Sequence, residues 1–308
     1  MGRIRITRKN KITVIILSVC VVVSLILTVS EKFFNGFGWD ELFENVGIVG
    51  NNEISDYPIS VHFIDVGQGD CTLVTSEFGN ILIDSGESEY KDKVVSYLKN
   101  LRIDKIDYLI ATHPHSDHIG SMYGVVDNFE IGQFYTSELD ESDTPTSRTY
   151  EKLLYSLERK DVKSSFVEYG DSFEMGEIIC DILAPVETIV GNLNSMSVVL
   201  KISYKDFSVL ITGDAETDEE KTILDTNCDI QADILKVAHH ASRTSSSIEF
   251  LQKVNPQYAV ISCGENNKYS HPHNETLEKL DELSIEYFRT DEISTVIFSY
   301  DGQSIIRN

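Results

Sequence analysis

His113-Pro114-His115-Ser116-Asp117-His118 follows directly on the apolar run 106–112. A short apolar run bounded by polar residues reads as a buried strand. Three imidazoles and a carboxylate therefore leave one strand end together. Grouped this way they can surround one or two cations with little further folding. Imidazole with carboxylate suits zinc, and also manganese or iron. A polar surface loop is the plain alternative. Histidine, however, has no turn preference that would gather three of the chain's eight histidines into six positions.

Two further apolar runs end in ligand-type residues. Residues 207–211 lead into Thr212-Gly213-Asp214, where a tight glycine turn projects Asp214 as a bridging carboxylate, or simply as the N-cap of the next helix. Residues 235–238 lead into His239-His240-Ala241-Ser242. Adjacent residues of a strand face opposite sides, so one of the pair ligates and the other meets substrate or donates a proton. Asp84 closes the strand 80–84 and is expected to accept a hydrogen bond from a ligating imidazole, fixing its tautomer. Asp70, in the turn Gly67-Gln68-Gly69-Asp70, is open between a place at the site and turn chemistry. His271, in His271-Pro272-His273, either contacts a phosphate or caps the helix that begins near Asn274.

This set predicts two divalent ions, zinc or manganese. His113 and His115 would hold one, Asp117 and His118 the other, with Asp214 between them and His239 or His240 completing the second. Asp117 would be catalytic as well as a ligand. Two such ions roughly 3.5–4 Å apart bridge a water and lower its pKa toward neutrality. The resulting hydroxide attacks phosphorus or a carbonyl carbon while the ions stabilise the developing anion.

The chain has 308 residues and a net charge of −24. Its first 30 residues hold five cations and no acid; without them, 21 basic residues face 50 acidic ones, a net of −29. A body this acidic repels polyanions over most of its surface. Nucleic acid is a disfavoured partner unless metal charge acts locally. Residues 12–29 form an apolar run without charge, just long enough to span a bilayer. The preceding cations would hold residues 1–11 in the cytoplasm and send the rest outside. A cleaved signal peptide would have a shorter core and a small-residue cleavage site, and the end of this run fits that poorly. Residues 30–56 read as a stalk and 57–308 as the hydrolase domain. No cysteine pair has CxxC spacing, which argues against a thiolate metal site. Cys71, Cys180 and Cys263 sit in strand-like runs, where free buried thiols are expected.

Alternation and apolar periodicity place strands at 60–66, 71–75 and 80–84, a helix at 89–101, a strand through Tyr108, a short helix near Gly120 and a strand at 129–136. After a polar loop comes a helix at 150–157. Strands follow at 165–168, 177–183, 197–203 and 207–212. A helix after Asp214, a strand at 233–238, a helix from near Ser246 and a strand at 258–263 come next. A helix at 274–283 and strands at 295–300 and 303–307 close the chain. Both halves run from strands through a helix to a strand ending in ligands. Two mixed sheets packed face to face with helices outside would bury this α/β chain as one domain.

The HxHxDH loop, Asp84, Asp214 and the late histidine resemble the metallo-β-lactamase superfamily over residues 59–308. That resemblance implies an αββα sandwich with the metal site at one edge of the sheets. A closer resemblance, to the hydrolase domain of ComEC-type competence proteins, rests on residues 63–70, 82–86, 112–120, 194–200, 212–214 and 235–242. It is also similar to extracellular teichoic acid phosphorylcholine esterases. The resemblance implies that His240 is the ligand, because Ser242 stands two residues after it as in related nucleases, and leaves His239 as the proton donor. Asn194 occupies the region where β-lactamases carry a third histidine on the first metal, which argues against lactam hydrolysis. Ala241 stands where these relatives have glycine.

The expected function is a membrane-anchored, extracytoplasmic hydrolase using two divalent ions, most simply a phosphodiesterase acting on DNA or a cell-wall polymer. The alternatives are hydrolysis of an ester, lactone or lactam at the same site, and a non-catalytic accessory that holds DNA. The latter asks for basic residues near the site, for which Lys236, Arg243 and Lys268 are the candidates.

Overall fold

Short runs of β-branched and aromatic residues open the domain as β1 (Ile59–Phe63), β2 (Thr72–Ser76) and β3 (Gly79–Ile83), an antiparallel meander. The computed structural model describes residues 57–308, together with Ser24. Apart from that serine, the expected basic segment, membrane anchor and stalk lie outside the described residues, among which no helix is long and apolar enough to cross a membrane. Beyond β3 the sheet continues in parallel through β4 (Lys105–Ala111), β5 (Glu130–Thr136) and β6 (Ser164–Phe166). On its other side β14 (Val296–Tyr300) and β15 (Ile305–Arg307) add to β1, giving eight strands in the order β15-β14-β1-β2-β3-β4-β5-β6.

The second sheet begins antiparallel with β7 (Ser172–Met175), β8 (Ile178–Ala184), β9 (Val199–Tyr204) and β10 (Phe207–Ile211). It continues in parallel through β11 (Ile234–Lys236), β12 (Tyr258–Ile261) and β13 (Glu286–Arg289), seven strands in all.

The two sheets close on a shared core that includes Phe63, Phe207 and Phe298, all fully buried. Each such side chain contributes roughly 1.5–3 kcal/mol. Helices α1 (Lys91–Asn100), α2 (Ser116–Ile119), α3 (Met122–Asn128) and α4 (Arg148–Arg159) cover the first sheet's outer face through Val94, Leu98, Val125 and Leu153. Helices α5 (Thr217–Thr226), α6 (Ile248–Val254) and α7 (Asn274–Glu282) cover the second through Ile223, Leu251 and Leu280. The result is a four-layer αββα sandwich.

Four ligand-bearing segments leave the C-terminal ends of parallel strands: Asp84 after β3, His113 after β4, Asp214 after β10 and His239-His240 after β11. Ligands in open α/β sheets gather at that edge. The backbone N–H of Val198 donates to the Thr112 carbonyl at 2.8 Å and joins the two sheets there.

Several elements differ from expectation. Strands β7 and β13 were not expected, because both are short, partly exposed edge strands with little apolar alternation. The helix expected near Gly120 is two, α2 and α3. The strand expected over 233–238 holds only Ile234–Lys236. Cys71, Cys180 and Cys263 are free and buried, in line with expectation, and Cys228 is free as well.

Candidate metal centre

Leaving β4, the chain turns at once into α2, whose N-cap is His115, so His115, Asp117 and His118 project within one helical turn. A second loop clamps them. Ser85 donates to the His118 carbonyl from its backbone at 2.6 Å and from its hydroxyl at 3.0 Å. The Asp70 N–H donates to the Asp117 carbonyl at 3.1 Å. Gly69 makes that approach possible: its φ is +144°, and a Cβ there would stand 2.3 Å from the Asp117 carbonyl oxygen. His113 Nε2 and His115 Nδ1 face each other at 2.9 Å.

Asp214 is the hub. Its Oδ1 lies 3.2 Å from His118 Nε2 and 3.6 Å from His240 Nε2. Its Oδ2 lies 3.9 Å from His113 Nε2 and 3.6 Å from His239 Nε2. Each oxygen thus faces two imidazoles. The turn that aims it needs Gly213, whose φ is +50° and whose Cβ position is crowded at 2.9 Å by Thr112. The Asp214 N–H donates to the Ser197 hydroxyl at 3.0 Å.

His239 and His240 are not in a strand. Their φ values are 49° and 52°, and that of Ala241 is 62°, three consecutive non-glycine residues in the left-handed region. Such residues cost roughly 1–2 kcal/mol each and persist where their surroundings over-determine them. Here Ser245 Oγ donates to the Ala238 and Ser242 carbonyls at 2.9 and 3.0 Å, and Thr276 Oγ1 donates to the Ser242 carbonyl at 2.9 Å. The turn, not strand alternation, sends the two rings apart. His240 is buried: its Nδ1 donates to the Ser262 carbonyl at 2.8 Å and its Nε2 stands 3.4 Å from Asp117 Oδ2. His239 opens on the cleft, with Nδ1 at 3.3 Å from Glu216 Oε1. Glu216 is fixed in turn by Thr244 Oγ1 at 2.8 Å and Asn192 Nδ2 at 3.0 Å.

Buried polar atoms are nearly always paired. Yet His118 Nε2, His240 Nε2 and Asp214 Oδ1 are buried without a hydrogen-bond partner, although they converge on one point. Ligand atoms of His113, His118 and Asp214, and those of Asp117, His118 and His240, lie within 4.8 Å of one another. Imidazole nitrogens and carboxylate oxygens turned inward without protein partners are the donor set that divalent cations take.

Burial and the clustered charges shift the groups of the centre in opposite directions. Burial pushes His113 far below the usual imidazole range, aided by the neighbouring His118. Burial also opposes a charge on His240, but Asp214 and Asp70 outweigh it and carry its pKa to about 10. Burial would raise Asp214; the surrounding His118 and His240 hold it well below the carboxylate range instead.

A cleft of about 320 Å³ opens over the cluster, lined by His115, Asp117, Asn194, Asp214, His239, His240 and His271 among others. Asn194 Oδ1 is buried there without a partner. His271 faces the cleft with Nδ1 3.5 Å from Gln68 Nε2, while the N-cap position of α7 falls to His273. Burial and the nearby His240 lower the His271 pKa to about 4. Asp84 accepts from Thr112 N–H at 2.9 Å and Oγ1 at 2.7 Å and faces His118 Nδ1 at 2.8 Å. Asp70 approaches His118 and His240 from below, at 3.8 and 3.3 Å.

Ser242 stands behind the ligands and outside the cleft lining, and its hydroxyl pairs with Thr244 Oγ1 at 3.0 Å to brace the histidine turn. The basic candidates are placed differently. Lys236 is fully buried against Asp70, Arg243 lies 3.7 Å from Glu275, and Lys268 lies over the Tyr269 ring. Sequence reasoning missed Gln68, Glu216 and Tyr269. Gln68 stands in the quoted glycine turn and Glu216 two residues past Asp214, so proximity to motif residues was the available signal.

The family model of the metallo-beta-lactamase superfamily matches residues 64–265. ComE operon protein 3 of Bacillus subtilis is 30% identical over 261 residues, 79% of this chain and 33% of that protein. Recombination protein 2 of Haemophilus influenzae is 29% identical over 225 residues, 71% of this chain and 26% of that protein. Competence protein ComA of Neisseria gonorrhoeae is 28% identical over 229 residues, 74% and 30% of the two chains. The chain thus spans about a third or less of the length of these relatives. Among solved structures, the metallo-beta-lactamase fold protein YhfI from Bacillus subtilis aligns at 13% identity with a TM-score of 0.51, covering 82% of this chain and all of that one. Igni18, a metallo hydrolase from Ignicoccus hospitalis, aligns at 15% identity and a TM-score of 0.51, covering 78% and 99%. The αββα layering, the cluster at the sheet edge and the family match agree, and the chain belongs to the metallo-β-lactamase superfamily.

Proposed function

We propose that this domain is a metal-dependent phosphodiesterase, carried on the outer side of the cell membrane by residues 12–29. The observation that carries the reading is Asp214, whose two oxygens face four imidazoles while buried nitrogens beside it lack partners. His113, His115 and Asp214 would hold one divalent ion, and Asp117, His118, His240 and Asp214 a second, zinc or manganese. Two ions so held supply Lewis-acid polarisation and an activated water.

The chain's own residues do the rest. Asp84 accepts a hydrogen bond from His118 Nδ1–H and the Ser262 carbonyl accepts one from His240 Nδ1–H, so each ring turns Nε2 inward. His239, partly exposed in the cleft with Glu216 Oε1 3.3 Å from its Nδ1, delivers a proton to the leaving group. Asn194 and His271 contact the non-bridging oxygens of the substrate. Two of the similar proteins are named for competence and recombination, which favours nucleic acid among phosphodiesters; the acidic body favours short or single-stranded forms and keeps a wall polymer in view.

Assays of the purified protein on bis-p-nitrophenyl phosphate, plasmid DNA and nitrocefin test this. Turnover of a phosphodiester is expected. Turnover of nitrocefin alone overturns the reading in favour of lactam hydrolysis, and turnover of none of the three in zinc or manganese favours a DNA-holding accessory.

A further inference from the structure

Lys236 is one of the largest fully buried side chains, and it sits in the strand that delivers the paired histidines. Its ammonium contacts Asp70 Oδ2 and donates to the Gly213 carbonyl at 3.2 Å, one residue before Asp214. A lysine is almost never buried this way unless a specific charge holds it. Asp70 is also a potential ligand. Its oxygens lie within 4.8 Å of ligand atoms of Asp214 and His240 in one group, and of Asp84 and His118 in another. Two of the four groups able to hold an ion therefore contain a carboxylate that an ammonium already engages.

We propose that Lys236 is a tethered cation standing in place of a third metal ion: it neutralises Asp70, closes both of that residue's ligand groups to divalent cations, and so limits the centre to two. Asp70, Asp84, Asp117 and Asp214 bring four negative charges and a bridging hydroxide a fifth; two divalent ions and Lys236 would together match them and leave the loaded centre neutral. A third divalent ion in place of the ammonium would leave one net positive charge and hold an anionic product more tightly, and to this extent the inference rests on the function proposed above.

The test is a zinc count on the full-length protein, loaded with zinc chloride, desalted, and compared with K236A and with D70N/K236A, circular dichroism reporting the fold. Two zinc ions are expected in the unmodified chain, three in K236A and two again in the double variant, which lacks the carboxylate. A folded K236A with no more zinc than the unmodified chain overturns the inference, and so does a third ion that persists in the double variant. Three ions in the unmodified chain overturn it whether or not K236A folds. If K236A folds only with zinc present, recovery with the extra ion supports the inference, since the ion then replaces the ammonium. Failure to recover while D70N/K236A folds overturns it. An unmodified chain that retains no zinc removes the functional reading and this inference together, whereas equal counts of two in the unmodified chain and K236A remove the inference alone.

Discussion

The Nδ1 of His118 lies 2.8 Å from Oδ2 of Asp84, and the same carboxylate accepts two further hydrogen bonds from Thr112. Asp84 is therefore locked before it meets the imidazole, and it selects the tautomer that leaves Nε2 free to face Asp214. Residues of this kind govern metal affinity without touching the ion. Asp84→Ala is expected to weaken zinc binding by roughly 10–100-fold, read by competition with a chromophoric chelator. Unchanged affinity would mean that His118 is oriented by the loop alone.

Asp117 projects from the first turn of α2 toward His240, and its side chain takes no part in the two sheets. Asp117→Ala is expected to reduce turnover by on the order of a hundredfold or more while leaving circular dichroism and the thermal midpoint of the metal-free protein nearly unchanged. A variant that keeps its rate would show that His118, His240 and Asp214 suffice.

How much of this was legible beforehand depended on the range of the signal. The loop 113–118 and Asp214 announced themselves because each ends a local apolar run, and strand ends are readable from neighbours a few residues away. The left-handed turn at His239-His240-Ala241 was not readable: none of the three is glycine, and the braces that impose it come from Ser245 and Thr276, further along the chain. Alternation in a strand suggested that one histidine ligates, and the turn separates the rings by another route. Lys236 is legible in the sequence only as a basic residue near the site; its partner Asp70 lies in a different sheet's loop, and only the packed structure joins them. Edge strands β7 and β13 carry too little apolar pattern to declare themselves.

His62 offers a pH test away from the centre. It is buried, its Nδ1 pairs with the Tyr97 hydroxyl at 2.8 Å, its Nε2 has no partner, and burial lowers its pKa to about 4. The unfolded chain binds a proton below about pH 6.5 and the folded one does not, so stability falls as pH drops through 6.5 toward 4. The loss amounts to about 3 kcal/mol over that window. His62→Leu should flatten that part of the curve in denaturant unfolding at several pH values. An unchanged slope would assign the acid sensitivity to other groups.

Glu219 on α5 has both carboxylate oxygens buried without partners, and burial, with Glu220 and Glu216 nearby, raises its pKa well above the glutamate range. Its folded pKa is raised, so the unfolded chain ionises first as pH rises, and stability is lost with rising pH. Glu219→Met is expected to stabilise the protein by roughly 1–3 kcal/mol at pH 8 and by little at pH 4. Thermal scans at both values check this, and destabilisation at pH 8 would mean the carboxylate has an ionic partner.

The central claim is that three separated stretches of chain gather around divalent ions that make a phosphodiester hydrolysable. Its most direct measurement is the rate of bis-p-nitrophenyl phosphate hydrolysis by the purified protein before chelation, after exhaustive chelation, and after zinc or manganese is returned. Loss on chelation and recovery on return of the ion is the expected result. A rate that survives chelation in protein shown to be free of metal would contradict the account.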